Sequence, residues 1–129
     1  MKRIALTVAA LVALAAPATA EPLLGMWQTA RDDNGNSGII EVAPCGAALC
    51  GTLVQSFDAN GNDMASANIG RQIISETVAN GDGAYRGKVW SPDRDKTYNS
   101  RLQLTGDTLS VSGCVLGICR DGGTWTRVP

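Results

Sequence analysis

The four cysteines are the residues of this chain whose type and spacing most clearly indicate chemistry. They stand in two pairs with four residues between the members, Cys45 with Cys50 and Cys114 with Cys119. Such pairs are compatible with local disulfides or with the four thiolates of a structural zinc site. The absence of histidine and the export signal described below favour disulfides over zinc, because thiols oxidise outside the cytoplasm. Four cysteines allow three connectivities, of which we favour the local pairs Cys45–Cys50 and Cys114–Cys119, because each spacing suits the two ends of a tight loop.

A catalytic set is hard to assemble from the remaining side chains. Without histidine the chain cannot form a Ser-His-Asp triad or a histidine-ligated catalytic metal site, and oxidised cysteines cannot act as nucleophiles. Asp93 and Asp95 could serve as a glycosidase-type carboxylate pair, but their polar turn suits solvated charges better. We therefore expect a non-enzymatic protein without a cofactor or a metal.

One acidic segment resembles the start of a calcium-binding loop. In Asp58-Ala-Asn60-Gly-Asn62-Asp63 the oxygen donors fall at positions one, three and five, as such loops require. The match then fails, since Asp63 occupies the glycine position and Ile69 the position of the bidentate glutamate. The segment is better interpreted as an Asx-rich turn.

Four side chains are candidates for contacting a small ligand inside the domain: Arg71, Tyr85, Trp90 and Tyr98. Aromatic rings with a few polar groups line many small-molecule sites. The alternative is that the rings fill the core, because the interior of an eight-stranded barrel has room for side chains or for one small ligand.

Three further residues are expected to have a structural role. Trp27 stands near the start of the predicted domain, and Trp125 and Arg127 stand near its end. The Gly-x-Trp start and the arginine near the end resemble lipocalin-like barrels, and this resemblance implies that Arg127 stacks on Trp27 and seals one end of the barrel through a cation–π contact of about 0.5–2 kcal/mol.

The elements that must position these residues are short β-strands. Apolar and polar side chains alternate from Lys96 to Leu104, which is typical of a strand with one buried face. Clusters of glycine, asparagine and aspartate separate similar segments. Eight strands are predicted, at 25–29, 38–43, 49–55, 71–78, 84–90, 96–104, 108–113 and 123–128. We expect an all-β fold, a single small up-and-down barrel of about eight antiparallel strands, because closure removes exposed edges.

Residues 1–20 have the three parts of a secretory signal peptide. Lys2 and Arg3 precede an apolar run at 4–16, and Ala18-Thr19-Ala20 suits a signal peptidase. An uncleaved N-terminal anchor is the alternative, although the run is short for a span of about 20 residues. Cleavage after Ala20 predicts a periplasmic or secreted single domain, 21–129, without a membrane span.

The charge of this predicted domain excludes some partners. Removing Lys2 and Arg3 from the 11 basic residues leaves nine against 12 acidic ones, a net charge of −3. Lysine and arginine form no run or cluster in the sequence, so we expect neither nucleic acid nor an anionic membrane surface as a partner.

Several short motifs together resemble the bacterial exported domain-of-unknown-function family 2147. These are Gly25-Met-Trp27, Pro44-Cys45-Gly-Ala-Ala-Leu-Cys50-Gly51, Trp90-Ser-Pro-Asp93 followed by Lys96-Thr-Tyr98, Leu109-Ser-Val-Ser-Gly113, and Thr124-Trp-Thr-Arg127. The resemblance covers nearly all of 21–129. It implies a lipocalin-like barrel outside the cytoplasm and supplies no catalytic residues.

Two functions fit these expectations. The first is an exported β-barrel that binds a small apolar or amphipathic ligand. The alternative is a protein-binding module of the envelope, such as an inhibitor of an exported hydrolase. Its contacts would come from the segment 21–24 or the apolar loop 115–118, because exposed apolar loops can mark interfaces. The oligomeric state does not follow from the sequence.

Overall fold

The computed structural model describes residues 21–129, which form a closed barrel of eight antiparallel β-strands. Each strand pairs with the next along the chain, and β1 pairs with β8 to close the barrel. The strands are β1 (Gly25–Gln28), β2 (Ser37–Cys45), β3 (Ala48–Phe57), β4 (Gln72–Gly81), β5 (Ala84–Ser91), β6 (Lys96–Thr105), β7 (Thr108–Val115) and β8 (Ile118–Arg127). The predicted up-and-down barrel is confirmed, whereas the predicted signal peptide at 1–20 lies outside the described residues. Within 21–129, no helix has the length and apolar character needed to span a membrane.

The alternating sequence pattern sets the two faces of the barrel wall. In β6 the inward residues Ser100 and Leu102 are buried, and their neighbours Asn99 and Arg101 are exposed. Inward side chains from all eight strands form one core, which is apolar apart from a few hydroxyl groups. A period of two residues therefore accounts for both the core and the wet outer surface.

Both cysteine pairs lie inside strand ladders, which makes four strands longer than the sequence predicted, including β7, which continues to Val115. β2 continues to Cys45, β3 begins at Ala48, and β8 begins at Ile118 instead of residue 123. The disulfides Cys45–Cys50 and Cys114–Cys119 are both present, as predicted. The cysteines thus clamp the ends of two hairpins, and only two residues remain in each turn.

One end of the barrel, which we call the closed end, has short turns and a plug. Turns of two residues at 46–47, 82–83 and 106–107 join the strands there. The segment 21–24 precedes β1 and places Leu23 in the core with no exposed surface. This end therefore leaves little room for a ligand.

An arginine and a tryptophan fasten the plug. The indole Nε1 of Trp27 donates to the carbonyl oxygen of Leu23 at 2.9 Å. The Arg127 guanidinium lies 4.3 Å from the Trp27 ring centroid and donates to the carbonyl oxygens of Leu24 and Pro22 at 3.0 and 2.6 Å. The cation–π contact expected from the sequence is accordingly present at the end where β1 meets β8.

Glycine at one inward position lets β4 bend into the barrel wall. A Cβ on Gly87 would lie 2.6 Å from the Ser75 carbonyl oxygen and 2.8 Å from the Thr77 Cα. The register of β4 against β5 shifts here, and Glu76 has a φ of 49°, as expected at a bulge. No larger side chain fits at Gly87 without moving the backbone of β4.

Candidate functional site

The end opposite the plug, which we call the open end, has longer connections. The loops 29–36, 58–71 and 92–95 and the turn 116–117 meet there, because successive hairpins of an up-and-down barrel point in alternate directions. This asymmetry directs attention to the open end as the place for a site.

Two turns with the same sequence pattern, Asp-x-Asn-Gly-Asn, shape one side of the open end. Asp32 and Asp58 begin them. Each carboxylate accepts hydrogen bonds from two backbone N–H groups, those of the residues two and four positions further along the chain, at 2.9 Å. The segment that resembled a calcium loop therefore folds as an Asx turn. Arg31 joins the two turns, since its Nη1 donates to the carbonyl oxygens of Gly35 and Ala59 at 3.1 and 2.8 Å.

The loops surround a cavity of about 1370 Å³, which we call the cup. Its floor is apolar and includes Ile40, Leu53, Val111 and Trp125, all at most 9% exposed. These side chains belong to the packed core of the barrel, which forms the base of the cup. The free volume lies between the floor and the loops, where Tyr98 is half-buried.

Charged side chains of both signs form the rim of the cup: Arg31, Asp32, Asp33, Asp93, Arg94, Arg120 and Asp121. Partial desolvation, followed by the negative charges of Asp33 and Asp32, raises the pKa of Asp93. A hydrogen bond from the backbone of Asp33 and the charge of Arg94 offset part of this effect. The carboxylates of Asp32, Asp33 and Asp93 therefore lie close enough on the rim to repel one another.

Arg71 and Trp90, two of the four predicted ligand residues, contact each other. The Arg71 guanidinium lies 3.6 Å from the Trp90 ring centroid. Asp95 accepts a hydrogen bond from Trp90 Nε1 at 3.0 Å and lies 3.9 Å from Arg71 Nη2. Trp90 borders the cup, but Arg71 covers one face of its ring.

Tyr98 and Tyr85, the other two, lie at different levels of the barrel. Tyr98 lines the cup and packs against Gly113, where an added Cβ would lie 3.2 Å from the Tyr98 Cβ and 3.4 Å from Cγ of its ring. Tyr85 is buried beside the plug and donates its hydroxyl to the Glu21 carboxylate. Burial and then the adjacent Glu21 carboxylate raise the pKa of Tyr85. The four residues do not form one cluster, and their role in binding stays a prediction.

The β7–β8 hairpin ends in an exposed apolar tip, residues 115–118, beside the cup. Leu116 is 96% exposed, Ile118 is 73% exposed and Val115 is 52% exposed. Both turn residues have positive φ, 51° at Leu116 and 80° at Gly117, which is the pattern of a type I′ turn. Asparagine, aspartate or glycine normally occupies the position of Leu116, so this leucine is exposed and strained at once.

Sequence reasoning found the tip but missed the charged rim. The rim residues come from separate loops that only the closed barrel brings together. The repeated Asp-x-Asn-Gly-Asn pattern at 32–36 and 58–62 predicts two similar turns. It does not predict that the two turns contact each other. Within residues 21–129, no group of three or more histidine, cysteine, aspartate or glutamate side chains is placed to hold a metal ion.

Comparison with known proteins supports the fold and the family. Residues 25–127 match a family described as "Uncharacterized protein conserved in bacteria (DUF2147)". A solved structure described as protein HP1028 from the human pathogen Helicobacter pylori, of the lipocalin family, is similar over 85% of both chains, with a TM-score of 0.64 and 18% sequence identity. No curated protein matches the chain significantly. At this identity the structural likeness establishes a lipocalin-like fold and nothing about the ligand.

Proposed function

The chain belongs to the bacterial family DUF2147, and we propose that it is an exported, non-enzymatic barrel that binds a small amphipathic molecule in the cup. The observation that carries this proposal is the combination of an apolar floor and a charged rim in one cavity of about 1370 Å³. Cavities of this kind bind the apolar part of a ligand by burial and orient its polar end by a few charged groups.

The packed floor of the cup limits the ligand. Ile40 has no exposed surface, and Val111 and Trp125 are 3% and 4% exposed, so an apolar chain cannot pass deep toward the closed end. The ligand would lie across the mouth, with its apolar part on the floor and against Tyr98. Its polar group would meet the arginines and aspartates of the rim.

The two disulfides support the exported location in this proposal. Two disulfides in a bacterial family fit an oxidising compartment outside the cytoplasm. We extend this to the periplasm, with residues 1–20 acting as a cleaved signal peptide. N-terminal sequencing of the exported protein tests the extension, and a chain that retains residues before Glu21 would contradict it.

The binding test combines native mass spectrometry with titration. Protein exported to the periplasm is purified without detergent and examined for a bound small molecule. The stripped protein is then titrated with decanoate and with dodecylphosphocholine. We expect Tyr98→Ala to weaken binding by roughly tenfold, about 1.4 kcal/mol, because it removes a ring that lines the cup.

Thr97→Ala is the matched control, since Thr97 is the exposed neighbour of Tyr98 on β6. It should leave the affinity unchanged. The proposal is wrong if the periplasmic protein has no bound molecule and neither amphiphile binds. It is equally wrong if the two variants bind alike.

The apolar tip favours a second candidate function, a protein-binding module of the envelope such as an inhibitor of an exported hydrolase. Three exposed apolar side chains on a hairpin clamped by Cys114–Cys119 form a rigid convex surface, and rigid surfaces lose less entropy on binding. This surface suits insertion into an apolar cleft of a partner protein.

Leu116→Asn separates binding by the tip from folding of the hairpin. Asparagine is preferred at this turn position, so the variant should be at least as stable as the unmodified protein and should lose a partner that depends on the tip. The measurement is capture from a periplasmic extract with both proteins, followed by hydrolase assays of the captured fraction. Equal capture by both would exclude the tip as the contact.

A further inference from the structure

The outer surface of β4–β7 carries a second concave region that is separate from the cup. It is a groove of about 860 Å³ on the barrel wall. Three cationic side chains line it: Arg86 and Lys88 on β5 and Arg101 on β6, which we call the cationic strip. Glu76 is the acidic residue among the groove-lining residues, so the groove is positive on a domain whose predicted net charge is negative.

The cations of the strip are oriented by neutral groups and have no ionic partner among residues 21–129. Arg86 Nη2 donates to the Asn80 side-chain oxygen at 2.7 Å, and Lys88 Nζ donates to that of Asn99 at 2.6 Å. The ion pairs in the described part of the chain involve Arg71 and Arg127 instead. An amide acceptor fixes the position of a cation without neutralising its charge.

Arg86 and Arg101 stand directly opposite each other in the β5–β6 ladder. Like charges at directly opposed positions destabilise a sheet. A protein that gained nothing from this arrangement would be more stable with a neutral or acidic residue at either position. The opposed arginines therefore point to an external anion that lies between them.

The surroundings of the strip indicate what kind of anion binds. Polar side chains continue the groove, with Gln103 on β6 and Ser110 and Ser112 on β7. Tyr85 is the aromatic residue among the lining residues, and it is 4% exposed. The groove thus has no stacking platform for the bases of a single-stranded nucleic acid. Val78, at 43% exposed, is its exposed large apolar side chain, which leaves few anchors for a peptide.

We propose that the cationic strip binds an acidic polysaccharide whose carboxylates repeat along an extended chain. The cations on two neighbouring strands meet successive carboxylates, and the hydroxyl and amide groups of the groove bond to sugar hydroxyls. The excess of positive over negative side chains within the groove also attracts a polyanion to the strip. This site is distinct from the cup, because the two cavities share no lining residue.

The test is calorimetric titration of the exported, disulfide-bonded protein with sodium polygalacturonate, with dextran as the neutral polymer and inorganic phosphate as the single anion. We expect binding of polygalacturonate at about 20 mM salt that weakens strongly at about 200 mM, as charge pairing requires. Arg101→Gln should weaken it by roughly tenfold. The same variant should not lower the melting temperature, because it removes the repulsion from Arg86.

Lys96→Gln provides the matched control. Lys96 lies on the same strand, is exposed, and is outside the groove lining, so its loss changes the net charge equally. Absence of polygalacturonate binding, equal binding of dextran, or an equal effect of both variants would overturn the proposal. Full competition by inorganic phosphate would replace the polymer with a single small anion and would overturn it as well.

Discussion

Leu23→Ala tests whether the plug stabilises the barrel. Leu23 has no exposed surface and packs into the core from outside the first strand. Truncation of a buried leucine destabilises a protein by about 2.7–5.0 kcal/mol, depending on how far the cavity collapses. Because Leu23 lies on a terminal segment that can shift, we expect the lower part of this range, about 3 kcal/mol. At roughly 4–8 °C per kcal/mol for a domain of about 100 residues, the melting temperature should fall by about 12–24 °C.

The assay is urea unfolding followed by tryptophan fluorescence, with thermal melts by circular dichroism. Met26→Ala is the control, since Met26 is also apolar and near the plug but 36% exposed; it should cost less than about 1 kcal/mol. If the two variants lost equal stability, the segment 21–24 would not be a packed plug. The account of the closed end would then be wrong.

Four further changes follow from the same contacts. Arg127→Lys keeps the charge but loses the planar stacking on Trp27, and urea unfolding should show a loss of about 1–2 kcal/mol; unchanged stability would contradict this. Ser100→Ala removes a buried hydroxyl that has no hydrogen-bond partner among the described residues, so stability should be unchanged or rise by up to about 1 kcal/mol, and a clear loss would show that the hydroxyl is bonded. Gly87→Ala places a Cβ 2.6 Å from a carbonyl oxygen of β4 and should cost about 3 kcal/mol in chemical unfolding, unless β4 moves away. The pKa of Asp93 is raised in the folded state, which means that ionisation of this carboxyl group opposes folding. Asp93→Asn should therefore raise the denaturant midpoint more at pH 7, where Asp93 is ionised, than near pH 3. A larger increase at low pH would contradict this argument.

The strands could be predicted from the sequence because a half-buried strand leaves a local signal. Alternation within 96–104 determines which side chains of β6 point inward, and no distant contact is needed to see it. The ends of β2 and β8 were less predictable. The cysteine pairs suggested loops, but a cross-strand disulfide also fits a hairpin in which pairing continues to the last two residues, as it does at Cys114–Cys119.

The position of a residue along the barrel axis was not predictable in the same way. Tyr85 and Tyr98 both occupy inward positions on adjacent strands, so the sequence pattern predicts ligand contact equally well for either residue. Because β5 and β6 are antiparallel, Tyr85 pairs with Leu102 toward the closed end and Tyr98 pairs with Val89 toward the open end. The arrangement of the loops around the open end depends on contacts such as that of Arg31 with Ala59, which connect residues far apart in the chain.

The features that reduce the stability of the barrel lie away from the closed end. There, Leu23, Trp27 and Arg127 bury apolar surface and satisfy polar groups. The open end instead keeps a strained, exposed leucine and crowded carboxylates, and the outer wall keeps two opposed arginines. Local rules are most often broken at functional sites.

β6 contributes to two of the proposed sites, with Tyr98 facing the cup and Arg101 facing the groove. Because successive residues of a strand point to opposite faces, a change at one position removes one surface and leaves the other intact. Tyr98→Ala should therefore weaken binding of the amphiphile roughly tenfold and leave binding of polygalacturonate unchanged, and Arg101→Gln should do the reverse. Loss of both ligands in either variant would indicate that the substitution disturbs β6 as a whole, and neither site could then be assigned from it.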